Sequence, residues 1–233
     1  IKWKQDIQND IEKLEELLEY SIQVDNNRDK KLQTLKQTIE SKIKNPLNGE
    51  NKKVIIFTAF ADTAQYLYDN ISLWAKNLGV ESCLITGSGI NQSTLFPKER
   101  DLNTLLTHFS PISKDRAKID STQSKELDIL IATDCISEGQ NLQDCDFLIN
   151  YDIHWNPVRI IQRFGRVDRL GSKNKYIQLV NFWANMELDE YINLESRVSG
   201  RMVLLDVSAT GEENIIDTSN KEMNDLSYRA KQL

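Results

Sequence analysis

The sequence predicts an α/β protein: a parallel sheet sandwiched between helices. Three observations predict it. Short runs that are apolar throughout recur along the chain, at Val54–Phe57, Cys83–Ile85, Ile129–Ala132 and Phe147–Ile149. Strands buried on both faces look like this, whereas a half-solvated strand alternates. Helical stretches with three- and four-residue apolar spacing separate the runs, the signature of parallel strands joined by crossovers. Each run then ends in Thr, Gly, Ser, Asp or Asn, at the carboxyl edge where open α/β sheets bind ligands.

The elements follow in order. Residues 3–43 read as helix, with Ile7, Ile11, Leu14, Leu17, Leu18 and Ile22 in one stripe and Leu32, Leu35, Ile39 and Ile43 in a second. Asp25-Asn26-Asn27 divides the two, and Asn45-Pro46-Leu47-Asn48-Gly49 closes the second. The spacing predicts a helical arm over residues 1–50, docked on the rest of the chain or on a neighbour. Val54–Phe57 then leads through Thr58-Ala59-Phe60-Ala61-Asp62 into an amphipathic helix to about Leu78. Cys83–Ile85 ends at Thr86-Gly87-Ser88-Gly89, and the long polar loop 86–124 has room for a helix from Arg100 to Phe109. The third strand, Ile129–Ala132, and the fourth, Phe147–Asn150, run into Thr133-Asp134 and Tyr151-Asp152, and Tyr176–Val180 makes a fifth. A lobe is therefore expected over 51–184. Residues 185–233 read as a helical and irregular extension that frays at its end.

Composition narrows the function classes. The chain has 233 residues and a net charge of −6, which argues against a surface that wraps nucleic acid as a whole. The average hides an imbalance. Residues 151–175 hold six basic and two acidic side chains, while 185–233 hold ten acids against five bases. Cys83, Cys135 and Cys145 form no C-x-x-C, and His108 and His154 are the only histidines, so neither zinc spacing nor a disulfide framework is present. A reducing, cytoplasmic home is expected. No apolar run approaches the roughly 20 residues needed to cross a bilayer, and no signal-peptide core follows Ile1. The missing initiator Met suggests a piece of a longer protein.

The most informative stretch is Gln162-Arg163-Phe164-Gly165-Arg166-Val167-Asp168-Arg169-Leu170-Gly171. On a helix, Gln162, Arg166 and Arg169 would share one face. Guanidiniums held side by side repel, and arginine pairs bidentately with phosphate oxygens, so an ATP γ-phosphate is the natural counter-ion. A solvated basic face is the alternative reading. Upstream, Thr133-Asp134-Cys135-Ile136-Ser137-Glu138-Gly139-Gln140-Asn141 places a hydroxyl, a carboxylate and a glycine after a strand, as close backbone approach to a polyanion requires. A capped βα turn would look the same. Pro157 fits the first turn of the arginine helix, and His154 reads as a loop side chain.

In order, V-I-I-F-T-A-F, L-I-T-G-S, I-L-I-A-T-D-C-I-S-E-G-Q-N-L, N-Y-D-I-H-W-N-P and Q-R-F-G-R-V-D-R-L-G resemble the motifs of the C-terminal RecA-like lobe of superfamily 2 helicases. The W-N-P element and the S-E-G-x-N turn resemble the Swi/Snf-like and RapA-like branches. The resemblance covers about residues 52–182. It implies that Arg166 and Arg169 reach across an interlobe cleft to nucleotide phosphates, with Gln162 orienting their helix. It implies Glu138 and Gly139 beside the nucleotide, Thr133 and Asn141 near the nucleic-acid side, and Thr58, Gly87 and Ser88 on the sugar–phosphate backbone. The implied partners are duplex DNA rather than single strands, and an N-terminal RecA-like lobe of the same parent chain. Phe57-Thr58-Ala59 stands where F-S-Q is more usual in that branch, and Leu170-Gly171-Ser172 where I-G-Q is.

No G-x-x-x-x-G-K-[ST] occurs, and no glycine is followed by lysine. Asp189-Glu190 lies on a helical pattern, not after an apolar strand, and reads as a solvated face. ATP would therefore be held in part, and Mg²⁺ wholly, by the N-terminal lobe, and this fragment alone is expected to be inactive. The rival readings are a non-catalytic helicase-like scaffold that docks a partner, and a Rossmann-type nucleotide binder, which lacks G-x-G-x-x-G. The Ile, Lys and Asn richness points to an AT-rich bacterial genome.

Overall fold

Four wholly buried strands, β1 (Val54–Phe57), β2 (Ser82–Ile85), β4 (Ile129–Ala132) and β5 (Phe147–Asn150), form the centre of the molecule. A computed structural model describes residues 2–25, 28–87, 89–96, 98–119, 124–136, 139–153, 157–169 and 171–183. Together with β3 (Gln92–Ser93) and β6 (Gln178–Asn181) the strands make a six-stranded sheet in the order β3-β2-β4-β1-β5-β6. All neighbours are parallel except β2 and β3. This is the RecA-like α/β arrangement.

Alternation along the strands divides the core into two layers. Val54, Ile56, Leu84, Ile129, Ile131, Phe147 and Ile149 face one side, and pack with Leu32, Leu35, Ile39, Ala64, Leu67 and Ile71. Ile55, Phe57, Cys83, Ile85, Leu130, Ala132 and Leu148 face the other, and pack with Leu105, Leu106, Phe109 and Val167. The helices supplying the first layer are α2 (Lys30–Lys44) and α3 (Ala61–Asn77). The second takes α4 (Leu102–Phe109) and α6 (Pro157–Val167), with a single turn, α5 (Arg116–Ile119), between them in sequence.

The expected arm splits into two different helices. α1 (Lys2–Ile22) buries none of its residues. α2 buries Leu32, Leu35, Ile39 and Ile43 in the first core layer. Asp29 starts α2 by accepting from the Leu32 N–H at 2.9 Å, an N-cap that satisfies one orphan donor of the first turn. Lys42 anchors its other end against Asp146 at 2.7 Å, with side chains 1% and 0% exposed.

Two strands differ from expectation. β6 starts at Gln178, not Tyr176, because the Lys175 and Tyr176 N–H groups donate to Asn48 Oδ1 instead of to β5. β3 carries no apolar run at all. Its pairing is backbone, extended by Thr94, whose hydroxyl accepts from the Ser82 N–H at 2.9 Å. Residues 184–233, where the extension is expected, lie outside the described residues.

Candidate nucleotide and nucleic-acid site

Because β1, β2, β4, β5 and β6 run parallel, their carboxyl ends share one edge. The ladder continues one residue past β1, β4, β5 and β6: the Thr58 N–H donates to Ala132, Thr133 to Ile85, Tyr151 to Phe57 and Phe182 to Asn150, at 2.9–3.2 Å. The backbone leaving these four strands is thus fixed by its neighbour. Gly87 lies where an added Cβ would sit 3.1 Å from Cys135 Cβ, so glycine lets the loops after β2 and β4 touch. Gly139 has φ +75, a left-handed conformation that favours glycine over any residue with a side chain.

α6 is built around Ile160, Arg163 and Val167, all 0% exposed and spaced by three and four. Arg163 is the residue that sequence reasoning overlooked. Its Nε and Nη2 donate to the two carboxylate oxygens of Asp134 at 2.7 and 2.9 Å, a bidentate pair. Nη1 donates to Asn150 Oδ1 at 2.8 Å and to the Asp152 carbonyl at 3.3 Å, and the guanidinium carbon lies 5.1 Å from the Phe57 ring centroid. One buried cation therefore ties α6 to the ends of β1, β4 and β5. Asn150 carries the network to β6 by donating to Asn181 Oδ1 at 2.8 Å. The signal was present: an arginine on the apolar stripe of an amphipathic helix must find an acid, and Asp134 stands at a strand end. A buried guanidinium survives only with such a complement of acceptors.

Around this anchor lie the expected site residues. Gln162 and Arg166, four apart, share a half-buried face of α6. The Arg166 carbonyl accepts from the Leu142 N–H at 3.0 Å, which ties the end of α6 to the 139–142 loop. Gln162 Oε1 is buried without a hydrogen-bond partner among the described residues. Asn141 is half-buried next to this tether, its Oδ1 accepting from the Gln143 N–H at 3.3 Å. Sequence reasoning also overlooked Lys114, which donates to Gln140 Oε1 at 2.8 Å; burial lowers its pKa.

Three expectations change. Arg169 is exposed and lies beyond the end of α6 at Val167, so the structure brings Gln162 and Arg166 onto one helical face but not Arg169. The helix stops where the Asp168 N–H makes its bond to Phe164, and Gly171 follows in a left-handed conformation (φ +91). Thr58 is fully buried and its hydroxyl is bonded to the Asp152 carboxylate, so it is not presented to a ligand. Lys31 of α2 reaches the same carboxylate at 3.1 Å. Thr133 keeps only 9% of its surface exposed. Ser88, Glu138 and His154 lie outside the described residues.

Several known proteins are similar to this chain. The "Uncharacterized ATP-dependent helicase YqhH" of Bacillus subtilis is 42% identical over 67 residues, 29% of this chain and 12% of the relative. The "Probable ATP-dependent RNA helicase ddx51" of Dictyostelium discoideum is 29% identical over 182 residues, 78% of this chain and 28% of the relative. The "Putative ATP-dependent DNA helicase fml2" of Schizosaccharomyces pombe is 27% identical over 150 residues, 64% and 17%. The chain thus spans well under a third of the length of these three relatives. Among solved structures, the C-terminal part of the Fun30 ATPase domain gives a TM-score of 0.46 at 19% identity, covering 70% of this chain and 43% of that one. The family described as "Helicase conserved C-terminal domain" matches residues 30–171, a span that begins at the first residue of α2 and ends just past the arginine motif. With that match over more than half its length, the chain belongs to this family.

Proposed function

We propose that this chain is the C-terminal lobe of an ATP-dependent DNA translocase of the Swi/Snf-like branch, acting with an N-terminal RecA-like lobe of its parent protein in the cytoplasm. The observation that carries the reading is the anchoring of α6. Arg163 locks the helix to three strand ends, and this leaves Gln162 and Arg166 on a half-buried face beside the glycine-hinged 139–142 loop. A cation held on a rigid element costs little reorganisation when it meets developing negative charge. The residue types suit a polyanion at this edge: Arg166 supplies a cation, and no described residue lies within 4 Å of a Cβ added at Gly139.

ATP, with Mg²⁺ held by the N-terminal lobe, supplies the phosphoanhydride bond. Arg166 would bind its phosphates, Gln162 would orient the face, and Glu138 and Gly139 would border the nucleotide. Arg169, free of the helix, would reach the phosphates from the exposed turn. An arginine of this kind contributes on the order of 10³ to 10⁵ in rate, but only where a P-loop and metal already position the reaction. This chain alone is therefore inactive. Gly87 and Ser88 after β2, with Asn141 after β4, would contact the nucleic-acid backbone through amides and hydroxyls, contacts that carry little sequence information. Duplex DNA is favoured by the W-N-P element preceding α6, a Swi/Snf-like feature. Both DNA and RNA helicases stand among the similar proteins. The test is ATP turnover by the parent protein with duplex DNA, single-stranded DNA and RNA in turn. Stimulation by duplex DNA is expected; stimulation by RNA alone overturns the substrate reading.

A further inference from the structure

The segment between α4 and α5 is stapled to the loop that follows β4. The Asp144 carboxylate accepts from the Ile112 and Ser113 N–H groups at 2.6 and 2.9 Å, and the Ser113 hydroxyl donates to the Asn141 carbonyl at 3.4 Å. Ser110 and Pro111, at the start of the segment, are buried. Asp115 follows in the left-handed region (φ 51), the one residue with a side chain to do so among the described residues. Aspartate enters that region more readily than most. Between these anchors Lys114 is held with its ammonium 2.8 Å from Gln140 Oε1.

That ammonium lacks a counter-ion. The buried cations Lys42, Lys53 and Arg163 each hold a carboxylate, of Asp146, Glu126 and Asp134 in turn. Lys114 is half-buried, and among the described residues its one hydrogen-bond acceptor is the neutral amide of Gln140. The adjacent Asp115 carboxylate is turned to Lys118 at 2.9 Å, and that of Asp144 to the two N–H groups. Gln140 occupies one of three ammonium donors. Burial lowers the Lys114 pKa, as it does for a cation drawn from water with no acid to offset the cost. An anion from outside the chain would restore the balance.

The side of the loop on which Lys114 stands selects the anion. In a trans peptide the carbonyl and the N–H point in opposite directions. In the peptide joining Asn141 to Leu142, the carbonyl accepts from Ser113 and the N–H donates to the Arg166 carbonyl. The 110–116 segment and the end of α6 therefore flank the 139–142 loop from opposite sides. Arg166 is assigned above to the nucleotide, on one flank, and Lys114 lies on the other. Resting on the reading of this lobe as part of a nucleic-acid motor, we infer that Lys114 binds a phosphate of the nucleic-acid backbone. Such a contact positions the strand without reading its bases.

The test is a titration of the parent protein with fluorescein-labelled duplex DNA, without nucleotide, across about 50 to 200 mM KCl. Lys114→Gln should lower the slope of log affinity against log salt by about one, and weaken binding about five- to tenfold near 0.1 M, as one fewer released counter-ion requires. Lys114→Arg should keep both slope and affinity. Lys44→Gln, which removes a lysine at the far end of α2, should change neither. The ATP concentration for half-maximal turnover should be the same in all four proteins. An unchanged slope in Lys114→Gln overturns the inference, whether or not affinity falls, because lost affinity at constant slope marks a structural role. A raised half-saturation for ATP with DNA binding intact assigns the phosphate to the nucleotide and overturns it too. A wild type that binds only RNA fails the duplex reading alone, and the same loss of slope is then expected on RNA. Affinity for neither overturns both.

Discussion

The two edges of the sheet each carry a buried ion pair, and the pairs serve different ends. At the amino edge, Lys42 and Asp146 are shut away together, with Asn48 Nδ2 also donating to the Asp146 carboxylate at 2.8 Å. Everything bonded there is structural: α2, the lead into β1, and the starts of β5 and β6. At the carboxyl edge Arg163 is buried as completely, but its partner Asp134 remains 25% exposed and begins a loop with a left-handed glycine. The first pair closes the fold. The second holds α6, whose Gln162 and Arg166 stay half-buried at the carboxyl edge. A buried charge pair is therefore no mark of function by itself; what is mounted on it decides.

That contrast makes the amino edge the more fragile. Asp146→Ala strands an ammonium with no route to water, and a loss of about 3–5 kcal/mol is expected, read by urea unfolding. Replacing both partners with apolar residues, Lys42→Met with Asp146→Leu, should recover most of it; failure to recover would show that the edge needs its polar bonds as well as its volume. Arg163→Ala should cost less, about 2–3 kcal/mol, because water can reach Asp134 once the guanidinium is gone. Arg163→Lys should restore little, since an ammonium cannot make the bidentate bond together with those to Asn150 and Asp152. Equal losses at the two edges would erase the distinction. Gly139→Ala should cost about 1 kcal/mol of backbone strain, while leaving both ion pairs intact.

The smallest effect is alkaline. Burial pushes the hydroxyls of Tyr66, on α3 against Asp29, and Tyr68 up to about 12, and raises that of Tyr151 as well. These groups keep their protons in the folded chain after the unfolded chain has lost them near pH 10. Their contribution is complete below pH 10 and fades as pH rises toward 12. Burial also raises the Cys83 and Cys145 thiols, so thermal melts from pH 8 to 11.5 should show the midpoint falling from about pH 9 and more steeply above pH 10, and Tyr66→Phe should soften the later fall.

Much of this was legible in the sequence, for identifiable reasons. β1, β4 and β5 were readable at the residue because wholly apolar runs have no other use in a chain of this polarity. α4 was readable from Leu102, Leu105, Leu106 and Phe109. β3 was not, because Gln92 and Ser93 pair through backbone alone. The start of β6 depends on Asn48, 127 residues from Lys175, and no local pattern reports such a contact. At the site, Gln162 and Arg166 were legible by spacing. Arg163 was not, because its acceptors, Asp134, Asn150 and Asp152, come from the ends of other strands. Thr58 failed for the opposite reason: a strand-end hydroxyl looks available until its partner, Asp152, arrives from another strand.

The central claim is that α6 is an anchored platform for a cation that completes a nucleotide site belonging to another lobe. Its most direct test is Arg166→Ala in the parent protein, with unfolding and nucleic-acid-stimulated ATP hydrolysis measured on the same sample. The account predicts that the variant keeps a cooperative unfolding transition and loses about 10³-fold or more of its turnover. Unchanged turnover in a folded Arg166→Ala protein would contradict it.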